Sequence, residues 1–169
     1  MSVKFQDFSV NVKAALDETT IAWLHTWANE IASHAARNCQ MAREGESSGT
    51  QLKGSYRGSV NEGKGEARIG SPLEQAYWEE WGTGEHAAHG DGRKGWWVFV
   101  KGQASQGGGT TYQSREEAEA VAASMRADGL DAYATDGREP NYTLERAFDA
   151  NKQKAIADLE EQLGRRLSE

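Results

Sequence analysis

Apolar positions recur at spacings of three and four near both ends of the chain, and between these stretches the period falls to two or dissolves into glycine. In the first stretch Ile21, Leu24, Ala28, Ile31, Ala35, Cys39 and Ala42 form one stripe of a helix, widened by Trp23 and Trp27. Asp17 reads as its N-cap, and the run from Gly45 to Gly49, with Ser47 and Ser48, reads as its end. The many alanines leave room for another backbone to approach. Ahead of it Val3, Phe5, Phe8, Val10 and Val12 alternate imperfectly, which predicts a strand over 3–12 with a bulge near Gln6-Asp7.

The middle of the chain reads as strand, turn, strand. Ser55-Tyr56-Arg57-Gly58-Ser59-Val60 and Glu66-Ala67-Arg68-Ile69-Gly70 flank Asn61-Glu62-Gly63-Lys64-Gly65, a hairpin turn. A short segment through Pro72, Leu73, Ala76 and Tyr77 follows. Trp96 to Val100 is apolar on both faces and predicts a strand buried on both sides. Residues 102–112 have the composition of a flexible linker. Ser114 with Glu117 makes a capping box for a helix whose apolar face is Ala118, Val121, Ala122 and Met125. Gly129 closes that helix, with Leu130 placed for the C-terminal contact. Residues 131–135 then read as a strand, so 96–135 is expected to be a small crossover unit inserted in a smaller domain. Gly137 and Pro140 lead to a last helix with Thr143 as N-cap and Leu144, Phe148, Ala155, Ile156, Leu159, Leu163 and Leu167 on one face. The expected class is α+β: an antiparallel sheet packed by long N- and C-terminal helices, in one domain with an insert at about 103–133.

One stretch stands apart from these periods. Tyr77, Trp78 and Trp81 lead into a loop with glycines at 82, 84, 90, 92 and 95, which leaves through Trp96 and Trp97. So much glycine implies a shaped, non-repetitive backbone. Four of the six tryptophans flank it, so the loop is either a site or a docking surface.

Composition narrows the choice. The 169 residues carry 26 acidic and 19 basic side chains, a formal charge of −7, which argues against wrapping nucleic acid but suits walls that DNA passes without sticking. No run of ~18 apolar residues suggests a membrane span, and Met1-Ser2-Val3-Lys4-Phe5-Gln6-Asp7 lacks the order of a signal peptide. The single cysteine, Cys39, reads as a small buried hydrophobe. His25 and His34, nine apart on the first helix, read as surface or half-buried residues.

Three groups offer chemistry. Glu85, His86, His89 and Asp91 can collect a zinc ion if the loop curls, which makes a small metal-dependent hydrolase using His86, His89 and Asp91 the alternative reading. Glu79-Glu80, read as strand neighbours, point to opposite faces and suit a surface or interface salt bridge better than acid–base work. Gly107-Gly108-Gly109-Thr110-Thr111 lacks the Lys-Ser/Thr of a phosphate loop. No nucleophile elbow or Cys-x-x-Cys is present, and no cofactor is implied.

The ordered pieces resemble a family: the small tail-completion or neck proteins of long-tailed DNA phages and prophages, also described as tail components or minor capsid proteins. Leu52-Lys53-Gly54-Ser55 is similar to a Leu-x-x-Ser segment after the first helix, although Ser48-Gly49-Thr50-Gln51 is one residue out of step with the Thr-Gly-x before it. Ala76-Tyr77-Trp78-Glu79-Glu80-Trp81-Gly82-Thr83-Gly84 resembles the Tyr…Glu-aromatic-Gly-Thr-Gly motif, and Gly90-Asp91-Gly92-Arg93-Lys94-Gly95-Trp96-Trp97-Val98 its glycine loop. Thr135-Asp136-Gly137-Arg138-Glu139-Pro140-Asn141, with Leu144 and Ala147 beyond, resembles the closing Thr-x-Gly-x-x-Pro-Asn and C-terminal helix. Residues 103–133 depart from the pattern.

The resemblance implies a non-enzymatic virion protein of the tail or neck, present in the host cytoplasm during assembly. It implies a homo-oligomeric ring, expected to be a hexamer, that meets other neck and tail proteins while genomic DNA passes through the lumen without specific binding. The expected interface comprises Tyr77, Trp78, Glu80, Trp81, Gly82, Thr83, Gly84, Arg93, Trp96 and Trp97.

Overall fold

The computed structural model describes residues 9–40, 47–102 and 109–168. The elements are α1 (Ser9–Asn38), α2 (Ser47–Ser55), β1 (Arg57–Asn61), β2 (Glu66–Gly70), α3 (Gln75–Trp81), β3 (Thr83–Gly84), β4 (Trp97–Val100), α4 (Arg115–Ala127), β5 (Ala132–Thr135), β6 (Gly137–Arg138) and α5 (Thr143–Ser168). The class is α+β, as expected, with long helices at both ends. The sheet is not continuous: β1–β2, β3–β6 and β4–β5 are separate antiparallel pairs. The chain divides into two compact units, one made of residues up to Ala76 together with Thr143 onward, the other of Tyr77–Tyr142.

In the first unit α1 and α5 run antiparallel. Trp23 donates its indole N–H to the Ala155 carbonyl at 2.8 Å and Trp27 donates to Asp158 at 2.7 Å. The Asn151 amide donates to His34 Nδ1 and to the Ala147 carbonyl, both at 2.7 Å. The two tryptophans expected to widen the apolar stripe therefore also cross-link the helices, satisfying their single polar atoms. The Trp27 bond, followed by one from Gln162, holds the Asp158 carboxyl below the usual aspartate range.

The core gathers Ile31, Ala35, Cys39, Leu52, Tyr56, Ala76 and Ala147, with Ile69, Leu73 and Leu144 against it. Four members of the predicted stripe, Ala28, Ile31, Ala35 and Cys39, are buried, and Cys39 just beyond α1 is a fully buried thiol outside any disulfide, as read from the sequence. The β1–β2 hairpin lies on α1 with Gly58 at the contact. A Cβ there would sit 2.6 Å from Ala28 Cβ and 2.7 Å from its carbonyl carbon.

Several expectations give way. Residues 9–12 belong to α1, so the strand predicted over 3–12 is overturned there; 3–8, like Ala42, lie outside the described residues. Asp17 is interior to α1 and caps nothing, because the helix begins at Ser9. Ser47 to Gly49 open α2 instead of ending the first helix in a loop, and Ser55 is helical. On α5 the buried row is Thr143, Ala147, Asn151 and Ala155, while Phe148 and Ile156 of the predicted face are exposed. Small and polar residues won that face because they admit α1 and meet its partners, which leucine and phenylalanine do not.

In the second unit β4 and β5 pair with Trp97 opposite Thr135 and Phe99 opposite Tyr133. Ser114 caps α4 by accepting from Glu117 N, as predicted. At the other end Gly129 N and Leu130 N donate to the Arg126 and Met125 carbonyls, both at 3.0 Å, completing a Schellman ending. The predicted crossover is corrected: β4 and β5 are antiparallel, so the connection through α4 returns the chain beside itself. The expected burial of β4 on both faces also fails. Phe99 and Tyr133 stay 40% and 48% exposed, since α4 covers only the side on which Ala132 is buried.

Gly58→Ala is expected to lower stability by about 1–3 kcal/mol, because the added methyl meets backbone that cannot turn away. Gly54→Ala, with nothing within 4 Å of its added carbon, is the control and should stabilise α2 by about 0.5 kcal/mol. Urea unfolding midpoints measure both.

Candidate functional site: a glycine-shaped clasp

The second unit brings together two segments far apart in sequence. Helix α3 stops at Trp81, and Gly82 N donates to the Trp78 carbonyl at 2.9 Å with Gly82 in the left-handed region (φ 73°). The chain then pairs Thr83 with Arg138 and Gly84 with Gly137. Arg138 N donates to Thr83 Oγ1 at 3.0 Å, and Glu85 N to the Asp136 carbonyl at 2.8 Å. The approach is too close for side chains: a Cβ on Gly84 would lie 2.0 Å from the Asp136 carbonyl oxygen, and one on Gly137 2.0 Å from that of Thr83. Only glycine fits either position.

Below this pair the clasp is polar and buried. Glu79 is fully buried and Glu80 is 6% exposed. Asn141 donates its side-chain amide to Glu79 Oε1 at 2.9 Å and its backbone N–H to the Glu79 carbonyl at 2.9 Å, while Tyr142 N reaches the Glu80 carbonyl at 3.2 Å. The expectation of strand-like, surface-facing glutamates is thus wrong. They lie on a helix and face inward, where Asn141 meets the first of them.

The loop from 85 to 95 folds back onto the clasp. Glu85 Oε1 accepts from Gly95 N at 2.7 Å, and Lys94 lies 3.3 Å from Glu85 Oε2. The Gly95 bond, then Lys94, pulls the Glu85 carboxyl below the usual glutamate range. His86 sits between Glu139 (2.8 Å) and Asp136 (3.4 Å). His89 instead packs on the Trp81 ring at 4.6 Å, and Tyr142 meets the same ring edge-on at 6.0 Å. His86 and His89 are thereby sent to different partners, and among the described residues no group of three or more His, Cys, Asp or Glu could hold a metal ion.

The residues expected at an interface fall into three sets. Gly82, Gly84 and Glu80 are buried inside the clasp; Trp78, Trp81, Thr83, Arg93, Trp96 and Trp97 are half-buried; Tyr77 is 48% exposed. Arg93 lies 5.0 Å over the Trp97 ring and donates to Thr111 Oγ1 at 2.9 Å and to the Gly109 carbonyl, tying the loop to the segment before α4. Arg115 lies 5.7 Å over Trp96. Of the glycine run 107–111, residues 107 and 108 lie outside the described residues. The partners that sequence reading left off the site, Asp136, Gly137, Arg138 and Asn141, stand in the closing motif. Only the pairing of glycine with glycine hints that the motifs meet.

Because the folded Glu85 carboxyl is depressed, its contact contributes fully above the unfolded glutamate value and is lost as pH falls through the folded one. The Gly95 amide resonance should therefore titrate with a midpoint below the ordinary glutamate range, and Glu85→Gln should abolish that titration. Asn141→Ala is expected to cost about 1–3 kcal/mol by withdrawing a buried donor from Glu79. Hydrogen exchange at residues 137–142 reads that loss.

Compared with protein-family models, curated proteins and solved structures, the chain matches none.

Proposed function

We propose that this chain is a structural protein of a tailed phage particle, a ring-forming subunit that completes the tail and joins it to the head. It works through protein–protein contacts and catalyses no reaction. The observation that best supports this reading is the clasp itself. The two segments that carry the resemblance, 76–84 and 135–141, bond to one another across 55 positions at Thr83 and Arg138 and 62 at Glu79 and Asn141. Motifs that resemble one family at both ends of a hydrogen-bonded unit are more informative than either motif alone.

Exposed apolar surface beside the clasp supports assembly. Tyr77 is half exposed where the clasp begins, and Phe99 and Tyr133 stand side by side on the uncovered face of the β4–β5 pair. Trp and Tyr supply large contact area at small entropic cost, so a neighbouring subunit gains most by covering such rings. The buried glycines and Glu80 then act one step back, fixing the shape of the contact surface. The charge of −7 suits a lumen that DNA traverses.

Native mass spectrometry of the purified chain, alone and with particle extracts, is expected to show a closed ring, a hexamer in the simplest case. A chain that remains monomeric and never enters particles would overturn the reading. Tyr77→Ser should weaken ring formation with an unchanged melting temperature, whereas Trp81→Ala, which removes the ring under His89 and Tyr142, should lower the melting temperature as well.

A further inference from the structure

The β1–β2 hairpin has two chemically different faces. Gly58 touches Ala28 of α1, so strand alternation puts Val60, Ala67 and Ile69 on that inner side. Arg57, Ser59 and Asn61 of β1 and Glu66, Arg68 and Gly70 of β2 share the outer side. Ser59 stands directly opposite Arg68, and Arg57 opposite Gly70, which makes the two arginines diagonal neighbours. They flank an open basin of about 200 Å³ that Ser59, Gly70, Ser71 and Pro72 also line.

These guanidiniums are uncommitted. The chain is acidic overall, and ion pairs of this unit take up Arg37, Arg165, Arg166 and His25, yet among the described residues none engages Arg57 or Arg68. Glu66 shares the outer face two positions from Arg68 without pairing to it, and Glu62 is taken by His25 at 3.2 Å. Ser55 gives its proton to the Leu52 carbonyl, so Ser71 gives its own to Ser55. Ser59 makes only a 3.5 Å bond to the Arg68 carbonyl and is free to turn toward the basin.

We infer that this face is an oxyanion site whose ligand is a phosphate group. Arg57 and Arg68 would grip it from two sides, with Ser59 as a neutral donor between them. The donors themselves favour phosphate over carboxylate. Two guanidinium forks and a hydroxyl approach from different directions, and tetrahedrally disposed oxygens accept from all three. A carboxylate offers only two coplanar oxygens, so once one fork takes both in plane the second guanidinium and the hydroxyl, approaching from other directions, bond it less well. The phosphate can arrive free or as the backbone of a nucleic-acid strand.

The test uses the full chain at low ionic strength. Inorganic phosphate is titrated by ³¹P line broadening, and a short fluorescent DNA oligonucleotide, single-stranded and duplex, by anisotropy. Arg57→Gln and Arg68→Gln are each expected to weaken binding about tenfold, the equivalent of one lost charge-assisted hydrogen bond. The lysine replacements should fall in between, because an ammonium keeps the charge without the fork. Arg37→Gln, which removes a cation paired with Glu30 elsewhere, should change nothing. Both arginines are exposed, so unchanged circular dichroism is expected for every variant. Dependence in the phosphate arm alone assigns a free-phosphate ligand; dependence in the oligonucleotide arm assigns a nucleic-acid backbone. The proposal is overturned if the double glutamine variant binds both probes as the natural chain does, or if neither probe binds. It is equally overturned if the double variant alters only self-association by sedimentation, which would make the face a dock for carboxylates of a second copy.

Discussion

Backbone must approach backbone in both units, and small residues make that possible. In the first unit Gly58 meets Ala28 where the hairpin crosses α1; in the second Gly84 and Gly137 face one another across β3 and β6. With 37% hydrophobic residues the chain has limited apolar volume to bury. It compensates by bringing main chains together, where dispersion and hydrogen bonds act without large side chains between them. The core reflects this: among the described residues nine of the thirteen buried hydrophobic side chains are alanine.

A core built this way leaves the large side chains at the periphery. The aromatic residues of the clasp are half-buried or exposed, and its Trp81 packs on His89 and Tyr142 while Trp96 and Trp97 lie under arginines. The clasp interior is polar, with Glu79 and Asn141 bonded to each other, which demands defined geometry where an apolar filling would tolerate slippage. Such an arrangement fixes the shape of a surface well and contributes modestly to stability. That balance suits a protein whose rings are finally covered by another subunit, which is the reading proposed for it.

Charge is arranged to the same effect. Acidic residues outnumber basic ones, but several basic side chains are placed where the fold uses their geometry: Arg93 over Trp97, Arg115 over Trp96 and Arg126 bonded to the Ala132 carbonyl. The planar guanidinium stacks and forks, which an ammonium cannot do.

Elements whose causes are local could be read from the residues alone. The α4 helix was legible from Ser114 and Glu117 through Gly129, the hairpin from its glycine turn, and the α1 stripe from three-four spacing, because caps, turns and periodicity act within a few residues. Everything else depended on which distant segments pack together. Phe148 and Ile156 read as core until α1 selected Ala147 and Asn151 instead, since the face a helix buries depends on what packs against it. Glu79 and Glu80 read as surface charges until the closing motif supplied Asn141 from 62 residues away. The loop was visible as glycine and tryptophan; that its glycines admit a second backbone, and that its histidines go to separate partners, followed only from the pairing of β3 with β6.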